Sequence, residues 1–415
     1  MTSPRLAPAE PVPSPLSRTG SIASGPLLGP LDLARRWAGG SAAAVLLSGS
    51  HATGEAVWVT VEGRTLTLSD LDVYVVVPND AERSAAEARA RGDRPGLAAR
   101  LLAWGVAAPL EVAFLTPAHL ARLPARPGTL ELRRRGVVVD GDAVWLARVP
   151  PWEARDVPPE EIDLLLENRG FELLQARAGL AAPGALARLA GRHALLKAAL
   201  DLATVAVLAA GEYPDGAAGR VARAHALSQD GAPHDAFAGD GPCAVRRAAV
   251  ARLWDAALTW RAGTAEALEP RAAAAEWHEA AAAWSAVWWV RAGGAGAPED
   301  PWARALRFAR RARLRRRVRL ALRFSTRSGR GPGLAQRLGP ALRGTPPHRV
   351  NASAAILLLA AAEEPPKLGG AAAAALERLG VVRGSDARDW EAARRAVLRA
   401  WDLWVLDGQR FAEEP

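Results

Sequence analysis

Apolar positions along this chain follow two rhythms, and the change falls near residue 150. Before it, short apolar or alternating runs are bounded by Gly, Ser, Asp and Pro, the signature of strands. They predict strands over 42–48, 56–61, 64–68, 71–77 and 110–115, with others near 130–133, 136–140 and 143–147 completing the sheet. Residues 31–37 and the Ala- and Arg-rich stretch 81–105 have helical spacing, and Thr116-Pro117 looks like a helix start with Thr116 as cap. Beyond 150 the strand signals stop. Three- and four-residue spacing predicts helices from about 158, over 184–211, 242–262, 267–291, 300–324, 351–363, 370–379 and 386–405. The expected fold class is α+β: a mixed sheet with flanking helices over 31–150, then an all-α domain over 151–415, with 1–30 as a disordered Pro- and Ser-rich tail.

Composition changes this picture little. The 415 residues, half of them apolar, suffice for two cores. The net charge of +9 suits a protein that handles polyphosphates, among many others. Arg is used almost to the exclusion of Lys, which occurs only at Lys197 and Lys367, and the single cysteine, Cys243, excludes an intrachain disulfide. No apolar segment has the length of a membrane span, the run 354–362 being too short, so a cytoplasmic protein with no membrane partner is expected.

Candidate chemistry concentrates between residues 46 and 77. Asp70 and Asp72 flank Leu71 at the head of an apolar run, and a period of two puts both carboxylates on one face. Paired carboxylates call for a positive charge, and a hard divalent cation such as Mg²⁺ takes oxygen ligands. Upstream, Gly49-Ser50 closes another apolar run and offers bare backbone N–H groups to a phosphate. Together these point to chemistry on a nucleoside triphosphate (NTP). The alternating segment 57–68, folded around Glu62-Gly63, reads as a hairpin inserted before the Asp-bearing strand, harmless to the site if it stands out from the sheet edge. A second Asp-x-Asp, at Asp140-Gly141-Asp142, is read as a hairpin turn between strands 136–140 and 143–147.

In these residues the chain resembles the DNA polymerase β-like nucleotidyltransferase superfamily, and is similar to its small bacterial branch of minimal and antibiotic nucleotidyltransferases. The matching parts are Gly49-Ser50 with the short helix after it, Asp70-Leu71-Asp72, and Glu111 in Leu110-Glu111-Val112-Ala113-Phe114-Leu115 as the third carboxylate, where Asp is more usual. The resemblance covers about the first third of the chain. It implies two Mg²⁺ ions held by Asp70, Asp72 and Glu111, terminal phosphates of an NTP, ATP for preference, held by Gly49 and Ser50, and Glu111 assisting deprotonation of an acceptor hydroxyl. It also implies a following helical domain that closes over the nucleotide, in which Lys197 touches the triphosphate.

Residue spacing alone reads Lys197 and Asp201 as an (i, i+4) ion pair on one helix face. Tyr213 is a helix-end core residue or a surface on which a base stacks. Trp277, Trp284 and Trp288 repeat at core spacing. The arginines of 304–323 read as a solvated helix face, or as a site for RNA. Three functions stand open: a nucleotidyltransferase; a nucleotide-binding or regulatory module of the same fold without turnover; and an RNA-binding protein working through that arginine-rich helix.

Overall fold

The computed structural model describes residues 25–229, 247–263, 267–293, 300–309, 346–361 and 366–404. The expected tail up to residue 24, Cys243 and the arginine-rich stretch beyond residue 309 lie outside them. The chain divides into two units, Met1–Glu153 and Ala154–Pro415. The fold is α+β, with one small mixed sheet and many helices.

Four strands form the sheet of the first unit: β1 (Ala44–Ser48), β4 (Leu71–Val76), β5 (Leu110–Leu115) and β6 (Val137–Gly141), in the order β5-β4-β1-β6. β1 is antiparallel to β4 and to β6, and β4 is parallel to β5. Strand alternation divides the residues between two faces. Val45, Leu47, Leu71, Val73 and Val75 bury against α1 (Leu28–Trp37) and α3 (Asp80–Gly92) through Leu31, Ala34, Trp37 and Ala86. Leu47 and Leu71 are fully buried, each stabilising the unit by roughly 1.5–3 kcal/mol. The opposite face carries Ala44, Leu46, Val76 and Val138 against α5 (Pro117–Leu120), α6 (Pro127–Arg135) and α7 (Val144–Ala147), through Leu120, Leu132 and Leu146. β2 (Trp58–Val61) and β3 (Arg64–Thr67) form a separate hairpin, turning at Glu62 and Gly63 with φ of 51° and 75°.

Three expectations need correcting. The segment 130–133 is helical, within α6: its alternating Leu130 and Leu132 are both buried, and Pro127 opens the helix at its first turn. The segment 143–147 holds α7 rather than a strand, so Asp140-Gly141-Asp142 is not a hairpin turn; Asp142 Oδ1 accepts from Val144 N at 2.8 Å just ahead of the helix. The stretch 81–105 breaks at Pro95-Gly96 into α3 and α4 (Leu97–Ala103).

The second unit is helical throughout its described residues. Its longest members are α8 (Pro159–Ala181), α9 (Ala185–Ala209) and, after α10 (Gly216–Gln229) and α11 (Arg247–Arg261), α12 (Pro270–Arg291). α10 carries no strong spacing signal and was not expected. The tryptophans of α12 are core: Trp277 Nε1 donates to Leu173 O and Trp284 Nε1 to Leu166 O, both at 2.7 Å, which sets α12 antiparallel to α8. In α13 (Pro301–Phe308), Arg304 is buried rather than solvated, its guanidinium 3.4 Å from the centroid of the Trp289 ring. No helix among the described residues is long and apolar enough to cross a membrane.

Candidate functional site

Registers β1–β4 and β4–β5 line up Ser48, Asp72 and Glu111 in one row across three strands. Paired residues on adjacent strands share a face, so Asp72 and Glu111 stand side by side on the face that also carries Ala44, Leu46 and Val76. In this row Asp72 is half-buried and Glu111 exposed. Asp70 immediately precedes β4, at the mouth of the same strand.

Gly49 follows Ser48 with φ of +68°, in the left-handed region that glycine tolerates best. A Cβ there would lie 2.3 Å from Asp72 Oδ2. The bend therefore brings bare backbone against the carboxylate, and no larger residue fits. Ser50 is half-buried, and its carbonyl accepts from Glu55 N at 2.8 Å and Thr53 Oγ1 at 3.2 Å, closing the short helix α2 (Gly49–Thr53).

Further residues meet here that sequence reasoning did not single out. Tyr74 is the next side chain on the face of Asp72. Burial, followed by the charges of Asp72, Glu111 and Glu131, pushes its phenol up to about 12, against the pull of Arg126. Arg126 and Glu131 come from the start and middle of α6, and a Cβ on Gly128 would lie 3.9 Å from Tyr74 Oη. Parity along β4 predicts the position of Tyr74, whereas Glu131 was hidden by the mistaken strand at 130–133. The fourth is His51, buried behind the glycine-serine bend, with Nε2 3.1 Å from Ser69 O. Burial lowers its pKa, opposed by the Ser69 carbonyl and the Asp70 charge.

Among the described residues, no group of three or more His, Cys, Asp or Glu side chains is arranged to hold a metal ion. The donor chemistry of the row nevertheless fits a hard divalent cation: oxygen ligands only, two carboxylates side by side, and a glycine whose bare backbone lies against one of them.

Lys197 stands on α9 in the second unit. Its charge acts on Asp201, and Asp201 is also met by Arg169 of α8, with Nε 2.5 Å from Oδ2. Desolvation opposes the ionised form of Asp201, yet Arg169, Lys197 and Arg220 together hold its pKa below the usual carboxylate value. Tyr213 is half-buried with the Arg220 guanidinium 5.1 Å from its ring centroid. No protein-family model, curated protein or solved structure matches this chain.

Proposed function

We propose that this chain is a magnesium-dependent nucleotidyltransferase that moves a nucleoside monophosphate from an NTP, ATP for preference, to an acceptor hydroxyl and releases pyrophosphate. The observation that carries this reading is the Asp72–Glu111 pair set directly beside the Gly49 bend, with Asp70 at the mouth of the same strand. Asp70, Asp72 and Glu111 are the residues that would hold Mg²⁺, which supplies positive charge to the phosphoryl oxygens. The backbone N–H groups of Gly49 and Ser50 hold the terminal phosphates. Lys197 enters as a further phosphate ligand on its charge and on the family resemblance alone.

The acceptor oxygen attacks the α-phosphorus, a new O–P bond forms, and the bond to pyrophosphate breaks. The acceptor proton passes to the Glu111 carboxylate, which is exposed and so within reach of an incoming hydroxyl. No covalent protein intermediate is needed; in-line placement of the reactants supplies much of the rate.

The test is pyrophosphate release by the full chain with ATP, Mg²⁺ and a panel of hydroxyl acceptors: sugars, saccharide precursors, protein side chains and RNA ends. Wild type should release pyrophosphate with one of them. Asp70→Asn and Asp72→Asn should abolish release while still melting cooperatively. Full activity in both variants ends the assignment, and ATP binding without release for any acceptor would favour a binding module.

A further inference from the structure

The inserted hairpin does not stand clear of the site. Its Thr67 makes a parallel bridge to Val106, and its Trp58 ring meets the edge of His51 with centroids 5.8 Å apart at 84°. Around His51, the polar groups of the hairpin and of Ser69 form a closed set. Thr67 Oγ1 donates to Val57 O at 3.2 Å and accepts from Ser69 N at 3.2 Å. Ser69 Oγ accepts from Val57 N at 2.9 Å. His51 Nε2 lies 3.1 Å from Ser69 O and 3.3 Å from Thr67 Oγ1.

These partners fix the tautomer. A carbonyl oxygen only accepts, and the Thr67 hydroxyl has already given its hydrogen to Val57, so the proton sits on His51 Nε2. The consequence lies in chain position. His51 directly follows Gly49-Ser50, and the Ser69 carbonyl belongs to the peptide group that leads into Asp70. That peptide is planar and stiff, so anchoring its oxygen orients the backbone of Asp70. One buried ring therefore ties the bend to the backbone that leads into Asp70, across 18 residues of sequence.

We propose that His51 is a positioning residue, its Nε2–H holding the Gly49–Ser50 bend and the Asp70 backbone in one fixed relation so that the phosphate and metal ligands are set as a unit. The proposal rests on the nucleotidyltransferase reading above. It also gives the hairpin a role: Thr67 and Trp58 hold the ring in the orientation that reaches Ser69.

The test is calorimetric binding of a non-hydrolysable ATP analogue with Mg²⁺ to the full chain, with thermal melts of each variant. A Gln amide nitrogen can replace Nε2, whereas an Asn amide stops short of it. His51→Gln should bind within about threefold of wild type, and His51→Asn and His51→Ala at least tenfold more weakly, with KM for ATP raised in parallel. If His51→Ala does not fold, the contrast of Gln with Asn decides. Equal affinities for Gln and Asn, whether both native or both impaired, overturn the proposal. A wild-type chain that binds no analogue overturns the nucleotidyltransferase reading itself, and the role of His51 falls with it.

Discussion

Asp72 and Glu111 are register partners across the parallel strands β4 and β5, so two carboxylates from distant parts of the chain stand side by side. Like charges in that position repel, and a cation bound between them would relieve the repulsion. Of the two, Glu111 is the exposed one and the one assigned to take the acceptor proton. Glu111→Gln should lower kcat by roughly 10²–10⁴-fold, the usual worth of a general base. Glu111→Asp, which keeps the charge on a shorter arm, should retain more activity than Gln. Steady-state pyrophosphate release at saturating ATP checks this; equal activity in wild type and the Gln variant removes Glu111 from the chemistry.

Gly49 and Gly54 give a matched pair. Both have positive φ, +68° and +76°, but a Cβ on Gly49 would strike Asp72 Oδ2 at 2.3 Å whereas one on Gly54 meets nothing within 4 Å. Alanine at either position should cost about 1–2 kcal/mol for the left-handed backbone. Only Gly49→Ala should also displace the Asp72 carboxylate, lowering kcat/KM at least tenfold beyond the loss in Gly54→Ala. Urea titrations alongside the kinetics separate the two effects.

Tyr74 offers a spectroscopic handle, because the chain has only two tyrosines. Its phenol is raised from 10.0 to about 12, so the folded protein holds that proton more tightly than the unfolded chain does. The associated stability is fully present below pH 10 and is lost as pH rises from there toward about 12. Absorbance titration at the phenolate band should show one ionisation near that upper value, and Tyr74→Phe should remove it. A single transition near pH 10 for both tyrosines contradicts the placement of Tyr74 beside Asp72 and Glu111.

How much of this could be seen beforehand depended on the range of the interaction. The strands bearing Ser48, Asp72 and Glu111 were legible because each is a dense run with clear ends, and strand parity alone sets Tyr74 on the face of Asp72. Alternation failed over 130–133, because in four residues a strand and a helix burying Leu130 and Leu132 give the same pattern. The role of His51 could not be read at all. Its meaning lies in a bond to Ser69, 18 residues away, that exists only once the hairpin has folded back. The surroundings of Asp201 were legible only in part: local spacing offers Lys197, whose charge does act on Asp201, while Arg169 arrives from another helix 32 residues upstream.

Asp201 carries the last prediction. Its side chain is 19% exposed and that of Arg169 14%, so their 2.5 Å contact joins α8 to α9 with little screening by water. Asp201→Asn puts a neutral amide in place of one of the two carboxylates that meet Arg169, leaving Glu172 as the other. It should cost about 2–3 kcal/mol, somewhat below the range for fully buried pairs. Because the folded pKa of Asp201 lies below 3.8, this stability is present above that pH and is lost as pH falls through the folded value. Urea titrations at neutral pH and at successively lower pH below 3.8 should therefore show wild type and Asp201→Asn converging in acid. Lys197 acts on Asp201 less strongly than Arg169 does, so Lys197→Ala should cost less than about 1 kcal/mol. That difference makes Lys197 separable: if Lys197→Ala keeps its stability but loses affinity for the ATP analogue, the lysine serves the nucleotide rather than the helix pair.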